Sequence, residues 1–135
     1  MAVLVAMLSS GKGSWGRVNS LLKLEEWEYV YLICNEFAEK NFDISSQNII
    51  KLKIDEQRPQ KSIDALSKFF SKNIKGEFDV AINLESGNGM EHMILISSVL
   101  KSGLGIRMVY PHNNEIKELK LMGDFIKQEE DPDFL

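Results

Sequence analysis

Apolar residues along the chain fall into two kinds of pattern. Ala2–Leu8 (AVLVAML) is continuously apolar, and Tyr29–Asn35 (YVYLICN) and Phe78–Leu84 (FDVAINL) are nearly so. Runs of this length read as strands buried on both faces of a sheet. Between them the period changes. Trp15, Val18, Leu21 and Leu22 recur at helical spacing and predict a first helix from Ser14 to near Trp27. Ile63, Leu66, Phe69, Phe70 and Ile74 form the stripe of another helix, opened by Pro59 and closed by Gly76. Ile50, Leu52 and Ile54 alternate with Lys51, Lys53 and Asp55, as in a strand with one wetter face at or near a sheet edge. The segment EFAEKNF before it is a short turn or helix.

The last third repeats the pattern. MEHMILISSVLKSG is a helix apolar nearly all round, hence an interior helix or an interface helix. GIRMVY is the next strand, PHNN supplies turn chemistry, and EIKELKL returns as a hairpin partner. Strands that alternate with helices predict an α/β fold. The expectation is a Rossmann-like three-layer α/β/α domain, with a mainly parallel sheet of about six strands and a C-terminal antiparallel hairpin. Residues 1–122 make up this domain, and residues 123–135 an acidic, loose tail. Ligands of such sheets bind beyond the carboxyl ends of strands, at the point where the strand order reverses. Two loops leave strand ends and open helices here: Ser9–Gly16 (SSGKGSWG) and Glu85–Gly89 (ESGNG).

Composition narrows the function. With 135 residues, 44% hydrophobic and 27% charged, the chain is an ordinary globular domain with room for one core. Its net charge of −4 and lack of a basic stripe argue against a nucleic-acid polymer as partner. A small anion held by local N–H groups stays compatible with that charge. Cys34 is the only cysteine, so no disulfide framework or cysteine metal site is expected, and its apolar surroundings make it an inert core thiol. The N-terminal apolar run is too short to span a bilayer and lacks the flanks of a signal peptide. A cytoplasmic protein without a membrane partner is the expectation, and no cofactor or metal is implied.

The first loop touches two phosphate motifs. A P-loop fails, because counting back from Gly11-Lys12 puts Ala6 where the first glycine belongs, and Gly13 replaces the magnesium-binding hydroxyl. The dinucleotide fingerprint G-x-G-x-x-G is matched literally by Gly11, Gly13 and Gly16, with Glu36 twenty residues further on as a ribose-binding acid. Trp15 is a bulky residue for a turn that must hug a pyrophosphate, and the chain is short for a dehydrogenase, so an NAD(P)-binding enzyme is an alternative only. Lys12 adds a cation, Ser9, Ser10 and Ser14 offer hydroxyls, and Ser14 equally serves as an N-cap. Trp15 also suits the core face of the first helix.

The second loop and its flanks, DVAINLESGNGM followed by an apolar helix, a glycine, a strand and a hairpin, resemble the CARF (CRISPR-associated Rossmann fold) domain family. Asp79, Val80 and Asn83 match the family's strand, which reads approximately D-V-x-x-N-x-T-G-G-T-K-x-M into the helix. Ser86, Gly87, Asn88 and Gly89 keep the small polar character of its turn, and SSGKGSWG is similar to its first ligand-facing turn. Two positions depart: the family lysine is replaced by Gly89 or Met90, and Glu85 adds a negative charge. The resemblance implies a homodimer that binds a cyclic oligoadenylate second messenger, in CRISPR-linked antiviral signalling. It implies ligand contacts from Ser9 to Trp15 in the first loop and from Asn83, Glu85, Ser86, Gly87, Asn88, Gly89 and Met90 in the second. A metal-independent ring nuclease is an alternative, with Lys12 and Ser10 as candidate catalytic residues. A ligand-free protein interaction module is another.

Other residues carry less. His92, in the first turn of the apolar helix, reads first as a hydrogen-bonded structural histidine and second as an acid or base facing the ligand. His112 belongs to turn chemistry. Trp27, Tyr29, Tyr31 and Phe37 cluster around the second strand, where core packing explains them better than base stacking.

Overall fold

The computed structural model describes residues 2–75, 79–121 and 133, with Lys12 described in its backbone only. The acidic tail apart from Asp133, together with Gly76 and Phe78, lies outside them. Strands β1 (Val3–Leu8), β2 (Tyr29–Cys34), β3 (Ile49–Lys53), β4 (Asp79–Asn83), β5 (Gly105–His112) and β6 (Glu115–Leu119) alternate with helices α1 (Trp15–Leu24), α2 (Glu36–Asn41), α3 (Pro59–Asn73) and α4 (Gly89–Lys101). They form one sheet in the order β3-β2-β1-β4-β5-β6, parallel except for the β5–β6 hairpin. The fold class is therefore the Rossmann-like α/β arrangement that the apolar pattern predicts.

β1 explains the layering. Its side chains are fully buried from Leu4 to Leu8, and they alternate between two cores. Val5 and Met7 pack with Ile33, Val80 and Ile82 under Leu66 and Phe70 of α3 and Ile94, Leu95 and Val99 of α4. Leu4, Ala6 and Leu8 pack with Leu32 and Ala81 under Val18 and Leu21 of α1 and Ala38 of α2. Each such aliphatic side chain contributes about 1.5–3 kcal/mol by leaving water. A strand with two dry faces has no polar alternation to show, which is why it reads as a solid apolar run.

Three local expectations change. α1 ends at Leu24 rather than near Trp27, because the Trp27 indole N–H folds back onto the Leu21 carbonyl at 2.8 Å and takes the bond a further turn would use. Pro111 and His112 lie in β5, not in the turn, which is only Asn113–Asn114 with φ of 50° and 59°. β5 has outrun β4 at Met108, so a residue without an N–H is tolerated at Pro111. Tyr29 and Phe37, expected inside, are exposed, Tyr29 stacking on the buried Tyr31 at 6.2 Å. β3 is an edge strand as expected, with Lys53 and Asp55 exposed and only Lys51 half-buried. Lys51 reaches the Glu39 and Phe42 carbonyls at 2.8 and 3.0 Å and so closes the end of α2.

From β1 the chain moves outward to β2 and β3, then returns across the sheet to β4 on the other side of β1. β1 and β4 are thus neighbours whose following helices lie on opposite faces. That is the switch point, and both glycine-bearing loops emerge there.

Candidate functional site

The two loops are stitched together. The Ser9 backbone N–H donates to Ser86 Oγ at 2.8 Å, across 77 residues of sequence and in a buried position. The Ser9 carbonyl accepts from the Trp15 indole at 2.8 Å, and its hydroxyl accepts from Asn35 Nδ2 at 3.1 Å. Ser9 is therefore a structural hub. Trp15 anchors the first loop by its edge-on contact with Phe42, ring centres 5.4 Å apart, in line with the core reading of that residue. Ser14 bonds the Gly11 carbonyl through its hydroxyl at 3.0 Å and does not cap α1 with its side chain.

The second loop is closed from within. Asn83, buried at the end of β4, donates to the Glu85 carboxylate and to the Val109 carbonyl, both at 2.9 Å, and clamps the loop to β5. Ser86 is buried and its carbonyl lies 2.7 Å from His92 Nε2, so His92 has the structural partner that its first reading requires. Gly87 has φ of 105°, and a Cβ there would stand 2.9 Å from Met7 Cγ and 3.0 Å from His92 Nε2. Only glycine meets both demands. Asn88 then caps α4: its side chain accepts from the Glu91 N–H at 2.9 Å, and the buried Glu91 carboxylate accepts from the Asn88 N–H at 3.0 Å. Asn88 Nδ2 also donates to Glu56 at 2.7 Å. Met90, the next residue but one, is exposed.

The start of α1 is different. A 3-10 helix, Lys12–Ser14, leads into it, no side chain caps it, and its first turn holds no acid. Gly11, Gly13 and Gly16 have ordinary backbone angles, and a Cβ on any of them would meet nothing within 4 Å. The fold does not need glycine at these positions. The fingerprint's mechanical reasons for its first and third glycines, a tight turn and close helix–strand packing, are thus not met at Gly11 and Gly16. Glu36 stands in the first turn of α2, exposed, and its hydrogen bond to Lys40 at 3.1 Å holds its carboxyl below the usual range. Gly89 is equally open.

Electrostatics at this edge hinge on a residue that motif reading misses. Arg17, in the first turn of α1, forms an ion pair with Glu85 and donates to the Pro111 carbonyl at 2.9 Å. The negative charge that Glu85 brings to the second loop is therefore met by a cation from the first helix. A partner 68 positions away leaves no mark on local sequence; the usable signal was a cation in the first turn of a helix, where the helix dipole opposes it. Ser10 is exposed and its hydroxyl accepts from Asn35 Nδ2 at 2.7 Å, which leaves the hydroxyl proton for another acceptor. Cys34 stays aside: burial pushes its thiol up to about 12, so it is neutral and unreactive near pH 7.

Among the described residues no group of His, Cys, Asp and Glu is arranged to hold a metal, and no helix is long and apolar enough to cross a membrane. Comparison of the chain with protein-family models and with curated proteins finds no match.

Proposed function

We propose that this chain is a nucleotide-sensing domain of the CARF type, which binds a cyclic oligoadenylate at the paired loops and does so as a homodimer. The observation that carries this reading is the uncapped, acid-free start of α1, held against the second loop by the Ser9–Ser86 bond at the switch point. Free N–H groups at a helix start favour phosphate. Open space over Gly11 and Gly13 lets a ligand approach the backbone. With Glu85 paired to Arg17, the edge does not repel an anion as the sequence alone suggests.

Dimerisation is supported by α4. Met93 and Leu100 are 57% and 58% exposed and lie on one face with Met90, beside the half-buried Ile96. Met90 adjoins the second loop, so a second copy seated on this stripe brings its own loops to the same space. A two-fold arrangement matches a ring of repeated adenylate units. Incubation with cyclic tri-, tetra- and hexa-adenylate in the absence of metal, followed by calorimetry and chromatography, tests this. One ring bound per two chains is expected; no binding of any ring overturns the reading.

Ser10 favours a second reading, cleavage of the ring. The ribose 2′-hydroxyl attacks the adjacent phosphorus, the bond to the 5′ oxygen breaks, and a proton passes from the 2′ to the 5′ oxygen. The product is a linear chain ending in a 2′,3′-cyclic phosphate. Positioning supplies most of such catalysis, and N–H donors meet charge on the phosphate. Ser10→Ala and Lys12→Ala then lower cleavage by a larger factor than they weaken binding. Recovery of unchanged ring removes the cleavage reading.

A further inference from the structure

A cleft of about 630 Å³ lies between the flank of α1 and the tip of the β5–β6 hairpin, beside the paired loops rather than between them. Arg17, Ser20 and Lys23 form its helical wall, and His112, Asn113 and Asn114 its hairpin wall. Arg17 and Ser20 share a helix face at a spacing of three. Among the described residues no carboxylate lines the cleft itself, and the nearest one shown is Glu85, paired with Arg17. Its volume is that of a small-molecule site.

Arg17 is the informative residue. It stands in the first turn of α1 against the helix dipole, and it lines the cleft while it bonds Glu85 and the Pro111 carbonyl. Among the described residues those bonds leave other guanidinium N–H groups unused, in a fork that fits phosphate oxygens. Asn113 and Asn114 add neutral donors around it, while the Ser20 hydroxyl donates to the Gly16 carbonyl at 3.0 Å. Two cations are too few to hold a nucleic-acid polymer, whose affinity grows with the number of phosphates neutralised.

We propose that this cleft is a second anion site that takes a small phosphorylated molecule, with Arg17 and Lys23 on the phosphate and the hairpin asparagines on its rim. Because Arg17 also holds Glu85, the site is coupled to the second loop. A phosphate on Arg17 competes with Glu85, and any ligand bound at the loops feels that exchange, with reciprocal effect.

The inference stands apart from the identity of the loop ligand, and one experiment separates the two. Inorganic pyrophosphate is titrated into the ¹⁵N-labelled protein at constant ionic strength. Saturable shifts are expected at the amides of Ser20, Lys23, Asn113 and Asn114. In Lys23→Ala the affinity falls roughly tenfold, the loss of one charge-assisted contact. Asn114→Gly keeps the positive φ of the turn and weakens binding by a smaller factor, roughly threefold. Shifts confined to residues 10–16, shifts reproduced by sodium chloride, or an unchanged affinity in Lys23→Ala overturn the proposal. So does tighter, length-dependent binding of single-stranded RNA at the same amides. Pyrophosphate binding in a protein that ignores every cyclic oligoadenylate supports the cleft while sinking the messenger reading; the opposite pair of results sinks the cleft alone.

Discussion

Two helices begin at the same edge of the sheet, and they begin in opposite ways. α4 is closed by its own residues: Asn88 and Glu91 bond each other's backbone N–H, and a buried carboxylate sits where the helix dipole favours a negative charge. α1 has no side-chain cap and no acid in its first turn, and the glycines before it are demanded neither by backbone angle nor by packing. A helix start completed from within is structure. A start left incomplete, next to one that is complete, is where a ligand's charge has something to add. The Ser9–Ser86 bond makes the closed loop the support for the open one.

The comparison can be broken by substitution. The largest effect is expected at Gly87→Ala in the closed loop. Forcing a side chain at φ of 105° against Met7 and His92 should cost about 3 kcal/mol in urea denaturation. A loss near zero there would mean that the second loop is not locked. Ser86→Ala comes next, since it strands the buried Ser9 N–H, and a loss of about 2 kcal/mol with faster exchange of that amide is expected. In the open loop the order of effects inverts. Gly11→Ala and Gly13→Ala should change stability by less than about 0.5 kcal/mol. Yet each should weaken ring binding on the order of tenfold by filling the space a ligand needs. Gly16→Ala should be more stable than the parent by about 0.5–1 kcal/mol, since alanine leaves the unfolded chain less freedom to lose and meets nothing in the fold. A destabilised Gly16→Ala would show that the open loop is packed after all.

The sheet was legible because its strands are dry on both faces or amphipathic at its edge, and these patterns survive in one dimension. The edge position of β3, the opening of α3 at Pro59 and the hairpin follow from Lys51 and Lys53, from proline's fixed angle, and from the Asn113–Asn114 pair. The misses share one physical character. Trp27 ends α1 through a bond to a carbonyl behind it, and Pro111 is tolerated in β5 because its neighbouring strand stops short. Both depend on where other elements end. The site was half legible. Glycine, serine and asparagine near two strand ends marked the loops, but residue type did not distinguish Gly87, which the fold requires, from Gly11, which it does not. Nor did it reveal that Arg17 answers Glu85, since that pairing exists only once β1 and β4 are neighbours.

The central claim is that the open start of α1 and the closed loop beside it form one ligand site. Amide mapping of cyclic tetra-adenylate and its tri- and hexa-adenylate relatives on the ¹⁵N-labelled protein tests it most directly. The account predicts saturable shifts for one ring at residues 10–16 and 85–90, lost in Gly13→Ala at unchanged stability. Binding that leaves these amides still, or that persists in full in Gly13→Ala, contradicts it.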